Sequence, residues 1–133
     1  MPAFLNKAKK NISTAEVLIN NGLPMTSAHP AYYSVYLLMK YLMAHFQYIG
    51  YDQQEELTKN KDSHNVISSQ VLSFLKVEDC KNGNAYFEWY NKLKMMRRKA
   101  DYKPVEIKNE ILNQNFADAK DFFDGIMEHF KIA

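Results

Sequence analysis

Between positions 92 and 99 the chain places five cations in eight residues, Lys92, Lys94, Arg97, Arg98 and Lys99, and follows them with Ala100, Asp101, Tyr102 and Lys103. Arginine is the side chain best shaped to grip a phosphate, because its planar guanidinium offers paired N–H donors. Arg97 and Asp101 stand four apart, so on a helix the carboxylate can hold the guanidinium in one orientation. The chemistry on offer is nucleotide or RNA binding by Arg97, Arg98, Asp101 and Tyr102. A plainer use competes with it. Steps of about 100° per residue spread the five cations around much of a helix, and cations near a helix C-terminus complement its negative end. A surface pair of this kind adds only ~0.3–0.5 kcal/mol, so the residues alone favour a solvated face.

The other reactive types are scattered. His29, His45, His64 and His129 fall on different elements, without the His-Glu-x-x-His spacing that would build a local metal site. No metal and no cofactor is expected. Gly22, Gly50, Gly83 and Gly125 stand alone, which excludes the Gly-rich phosphate loops of the strand–loop–helix nucleotide binders. Cys80 has no histidine near it in sequence and reads as a small, semi-buried thiol on a loop. Tyr32, Tyr33, Tyr36, Tyr41, Tyr48 and Tyr51 could be a base-stacking platform. Helical spacing instead puts Tyr33, Leu37, Tyr41 and Ala44 on one buried face. Only Lys40 interleaves the rings, so core or dimer packing is preferred.

The elements that must position these groups are helices. Four glycines and four prolines in 133 residues, set mostly between long apolar-periodic segments, punctuate helices rather than many short strands. A first helix is predicted over 3–21, with Gly22 as its left-handed stop, and 23–28 is a connection. Pro30 suits the first turn of a central helix running from Ala31 to Ile49 and ending at Gly50. The polar stretch 51–61 reads as a loop or frayed turn. Ser63 or Asp62 caps a third helix from His64 to about Leu75, burying Val66, Ile67, Val71, Phe74 and Leu75. A fourth spans about 85–100, burying Phe87, Tyr90, Leu93 and Met96 or close neighbours, and Pro104 forces its end. The last runs over about 105–130, with Ile107, Ile111, Leu112, Phe116 and Phe123 among its inner residues. The fold class is all-α, an up-and-down bundle of about five helices in one domain.

Composition narrows the function classes. With 47% apolar and 24% charged residues the chain can bury a core, which excludes a disordered tail. Seventeen Lys and Arg against fifteen Asp and Glu leave +2, so nucleic acid would have to be met by a local patch. A single cysteine excludes an intramolecular disulfide framework and a multi-thiolate zinc ribbon, and a reducing, cytoplasmic setting fits. The N-terminus carries no secretory leader pattern. Pro30 to Ile49 is the one stretch suggestive of a membrane span, and Lys40 at its centre adds roughly 2.5–3.5 kcal/mol against insertion.

Three pieces of the chain, in order and in register over nearly its whole length, resemble the HEPN domains (higher eukaryote and prokaryote nucleotide-binding). Ala31-Tyr32-Tyr33-Ser34-Val35-Tyr36-Leu37-Leu38-Met39-Lys40-Tyr41-Leu42 is similar to that family's Tyr-Tyr-containing second helix. Asp62-Ser63-His64-Asn65-Val66-Ile67 is similar to its His-x-x-Val segment, and Arg97-Arg98-Lys99-Ala100-Asp101-Tyr102 to its Arg-x-x-Ala-Asp-Tyr signature. The resemblance implies an antiparallel bundle that pairs as a homodimer through the Arg-bearing faces. It also implies partnership with nucleotidyltransferases in toxin–antitoxin modules.

Some members are metal-independent ribonucleases, in which an Arg and a His four to six intervening residues apart act on the phosphate and the ribose 2′-hydroxyl. Here those positions hold Tyr102, Lys103, Pro104 and Val105, and Pro30 stands where members often carry an Arg. Tyr102, with an ordinary pKa near ~10, and Asp101, near ~3.9, are poorly matched to general base work at neutral pH. The expectation is a binding or regulatory protein that holds RNA or a nucleotide without cleaving it efficiently. The alternatives are a ribonuclease toxin with Arg97 and an atypical base, Tyr102 or His64, and a pure protein-interaction module.

Overall fold

The computed structural model of the chain describes residues 3–79, 81–102 and 106–133. The loop thiol expected at Cys80, the helix break expected at Pro104 and the start of the last helix at Val105 lie outside the described residues. Among those described there are six helices and no strand: α1 (Ala3–Asn20), α2 (Pro24–His45), α3 (Tyr51–Thr58), α4 (Ser63–Glu78), α5 (Gly83–Tyr102) and α6 (Asn109–His129). The class is all-α and the architecture a helical bundle, as the sequence predicts, with six helices in place of about five.

α2 is the hub and packs against α1, α4, α5 and α6. It is apolar around most of its circumference, as a helix enclosed by others must be; Ala28, Tyr32, Val35, Leu38, Met39 and Leu42 are wholly buried. α1 supplies a narrow stripe, Leu5, Ala8, Ile12 and Ala15, whose two alanines let the helices lie close.

Several expectations are corrected. The 23–28 connection is helical from Pro24 onward: Pro24 occupies the opening turn of α2, where a missing N–H costs nothing. Pro30 therefore lies in the helix interior. The carbonyl it cannot serve is that of Thr26, an exposed residue. The segment 51–61 contains α3. Gln53 Oε1 accepts from the Gly50 N–H at 3.0 Å, and buried Gln54 donates to the Lys40 and Ile49 carbonyls at 3.1 and 2.9 Å. The polar run is thus a clamp on the end of α2.

The buried tyrosine face is turned by one residue: Tyr32 and Tyr36 are inside, whereas Tyr33, Tyr41 and Ala44 are half-buried. On α5 it is Tyr86, not Phe87, that enters the core; Phe87 is 56% exposed. Tyr86 donates to Asp79 Oδ2 at 2.8 Å and presses on Gly125 of α6, where an added Cβ would meet its hydroxyl at 2.8 Å. Ile111, expected inside α6, is largely exposed, and α6 begins at Asn109. No helix among the described residues is long and apolar enough to cross a membrane.

Candidate functional site

The start of α4 and the end of α5 meet over the N-terminal half of α2. Asp62 caps α4, its Oδ1 accepting from the His64 and Asn65 N–H groups at 3.0 and 3.4 Å; this fixes the first turn that carries His64. The approach of α4 and α5 is set at their far ends by Gly83, where a Cβ would lie 2.7 Å from the Lys76 backbone. Seven residues separate Tyr90 from Arg97, two turns on one face, so both point at α2.

Four of the sequence-predicted site residues, from two helices, come together here. Arg97 Nε lies 3.4 Å from Asp101 Oδ2, the pair expected from the i, i+4 spacing, within ion-pair reach but not aligned as a hydrogen bond. The guanidinium lies 5.3 Å from the centre of the Tyr32 ring and 5.7 Å from that of Tyr102, both within cation–π range. Its hydrogen bond among the described residues is from Nη2 to the Tyr102 hydroxyl at 3.4 Å. Most of its N–H donors are therefore uncommitted while its orientation is fixed. His29, which the sequence offers only as one of four scattered histidines, places Nδ1 3.3 Å from Asp101 Oδ2. Arg98 stays exposed and outside the cluster.

His64 joins from α4. Its Nδ1 hydrogen bonds to the Tyr32 hydroxyl, which also bonds the Tyr90 hydroxyl at 3.1 Å. Its ring stacks on Tyr36 with centroids 4.0 Å apart, and the Tyr36 hydroxyl donates to Ser63 Oγ at 3.4 Å. Burial, and then the positive charge of Arg97, push the His64 imidazole below its ordinary pKa, so it is neutral at pH 7. Burial, followed by the Tyr90 contact, raises the Tyr32 phenol far above its usual range and keeps it protonated. Lys94 donates to Asn65 Oδ1 at 2.6 Å, adding a second cation beside His64.

Tyr32 and Tyr90 join the candidate site, whereas the sequence offers Tyr32 only as part of a stacking platform and Tyr90 only as a core residue. Tyr90 shares a helical face with Arg97 and was visible by spacing. Tyr32 and His64 are 32 residues apart, and no local pattern joins them. Among the described residues no group of three or more His, Cys, Asp or Glu is placed to hold a metal.

The arrangement presents an oriented cation, a neutral imidazole and an exposed phenol ring on one face. It can hold a phosphate, stack a base and pass a proton along Tyr90–Tyr32–His64. In comparison with known proteins, the chain matches no family model, no curated protein and no solved structure.

Proposed function

We propose that the face made by α2, α4 and α5 binds RNA or a nucleotide through its phosphate and does not cleave it efficiently. The observation that carries this reading is the state of Arg97: fixed by Tyr32, Tyr102 and Asp101, yet with most of its donors unused. A pre-oriented guanidinium loses little freedom on taking up a phosphate. Lys94 adds charge, and Tyr102, 68% exposed, offers a ring on which a base can stack.

A second reading is favoured by His64. If the Tyr32 hydroxyl donates to Tyr90, the imidazole carries its proton on Nδ1 and keeps Nε2 bare, the form that could take a proton from a ribose 2′-hydroxyl. If Tyr32 donates to Nδ1, the proton sits on Nε2, and His64 is a phosphate donor rather than a base. Our reading takes the second direction, which makes His64 part of the binding set.

The wider role is that of a HEPN-like, homodimeric, cytoplasmic partner in a toxin–antitoxin or nucleotidyltransferase-linked system, and the motif resemblance is its support. Metal-free protein and its Arg97→Ala variant, incubated with labelled RNA, test the site. Retained RNA without cleavage, lost in the variant, is the expected result. Cleavage lost in both Arg97→Ala and His64→Gln would replace this reading with the ribonuclease.

A further inference from the structure

Between α4 and α5 runs a groove of about 610 Å³. At one end it joins the Arg97 site: Tyr90 lies in its floor, and Asn65, held by Lys94, stands next to His64 in the chain. Its other end is at Lys76, where Gly83 brings the two helices together. The α5 wall is one stripe, Asn84, Phe87, Asn91 and Lys94, at steps of three and four residues. One further step along that stripe stands Arg98, exposed and outside the Arg97 cluster.

The chemistry of the lining is one-sided. Among the described residues it has two cations, Lys76 and Lys94, and no carboxylate, in a chain whose acidic residues nearly equal its basic ones. Most of the rest is hydroxyl and amide, groups that hydrogen bond to a sugar, a phosphate or a base edge. Phe87 is the exception, an aromatic ring in the groove and 56% exposed. Tyr86 fills the core beside it, so burial does not account for the ring. An exposed ring between cations offers an unpaired base a face to stack on and its phosphates a counter-charge. In a duplex the bases stack on one another and leave no such face free.

We infer that the α4–α5 groove carries a single RNA strand away from the Arg97 site, with a base on Phe87 and phosphates at Lys94 and Lys76. The inference rests on the reading of Arg97 as a phosphate grip, and it names the ligand as a strand of several nucleotides rather than a free nucleotide or a duplex. Asn65 and Lys76 are three turns apart on α4, about 16 Å at 1.5 Å per residue. A stacked strand advances ~3.4 Å per nucleotide, so the groove and the Arg97 site together hold about five.

Equilibrium binding of the full chain to uridine monophosphate and to oligouridylates of about two, five and ten nucleotides provides the test. Affinity should rise about a hundredfold from the mononucleotide to the five-nucleotide strand and by no more than about twofold beyond it. Phe87→Ala should weaken the five-nucleotide strand about tenfold and Phe87→Trp restore it, with mononucleotide binding unchanged in both. Lys76→Ala should weaken the strand about threefold and lower the salt slope of its binding by ~0.7, the share of one phosphate contact. Both positions are exposed, so these variants keep the fold. Arg97→Ala should weaken every ligand. Affinity that depends on Arg97 but not on length overturns the groove and leaves the Arg97 reading standing. Length-dependent binding lost in Phe87→Ala but kept in Arg97→Ala supports the groove and removes Arg97 from the site. Length-dependent binding that Phe87→Ala and Lys76→Ala leave unchanged overturns the inference, as does tighter binding of an RNA duplex than of the strand. Failure of every ligand to bind overturns both readings.

Discussion

Two faces of α5 handle polarity in opposite ways. Toward α2 and α4, Tyr90 and Arg97 enter a chain of ion-pair, cation–π and hydrogen-bond contacts from Asp101 through Arg97 to Tyr32 and His64, in which Arg97 Nε keeps no hydrogen bond among the described residues. Toward α6, Asn115 is buried with both amide functions unmet among the described residues. Polar groups that satisfy one another inside the chain fix a geometry, and what they offer a ligand is what is left over, here the spare donors of Arg97. A buried polar group left unpaired is a standing cost to the fold. Removing a polar group should therefore have opposite signs on the two faces.

The largest effect is expected at Tyr32. Tyr32→Ala empties a wholly buried ring site and should cost about 3–5 kcal/mol in denaturant unfolding. Tyr32→Phe keeps the ring but strands His64 and Tyr90, for about 1–2 kcal/mol. On the other face Asn115→Leu, of the same branched shape, should stabilise the ligand-free protein by ~1–3 kcal/mol. A loss of stability there would mean that the amide is satisfied after all and that the contrast between the faces fails.

Gly83→Ala, at the close approach of α4 and α5, should cost about 1–3 kcal/mol, because the new methyl group meets backbone rather than a movable side chain. It should also weaken RNA retention, since it shifts α5 relative to His64. A Gly83→Ala protein that is destabilised but binds RNA undiminished would separate the packing of the two helices from the site.

Acid sharpens the comparison further. The folded-state pKa of His64 lies below that of a free imidazole, so the unfolded chain takes up this proton first. The stabilisation is present above about pH 6.5 and is lost as the pH falls through that value toward the folded pKa. Thermal melts between pH 7.5 and 5 should fall more steeply for the parent than for His64→Gln, and equal slopes would remove the buried neutral imidazole from the network. The smallest effect is expected at Asp101. Asp101→Asn breaks a partly exposed pair and should change stability by no more than ~0.5–1 kcal/mol, while loosening the orientation of Arg97 and so weakening RNA retention.

How much of this was legible in the sequence differs from element to element. Where the apolar spacing is regular, as in Leu5, Ala8, Ile12 and Ala15, the helix and its buried face follow from the pattern. At α3 the pattern misleads, because Gln53 and Gln54 look like solvent residues until the carbonyls they bind are in place. α2 is apolar nearly all round, so periodicity leaves its rotation undefined. Tyr32 and Tyr33 exchanged roles for that reason. Of the candidate site, the Arg97–Asp101 pair could be read from an i, i+4 spacing and Tyr90 from an i, i+7 spacing.

By itself the sequence determined the all-α class and the cation-rich end of α5, and narrowed the α4 cap to Ser63 or Asp62, all of which are local consequences of residue type and period. Only the tertiary structure decided that His64 meets Tyr32 and Arg97, that Tyr86 takes the core place expected for Phe87, and that the Asn115 amide is buried unpaired among the described residues. Each of those depends on how helices far apart in sequence rotate and approach one another. That rotation is set by the summed packing of whole faces, which no single stretch of the chain encodes.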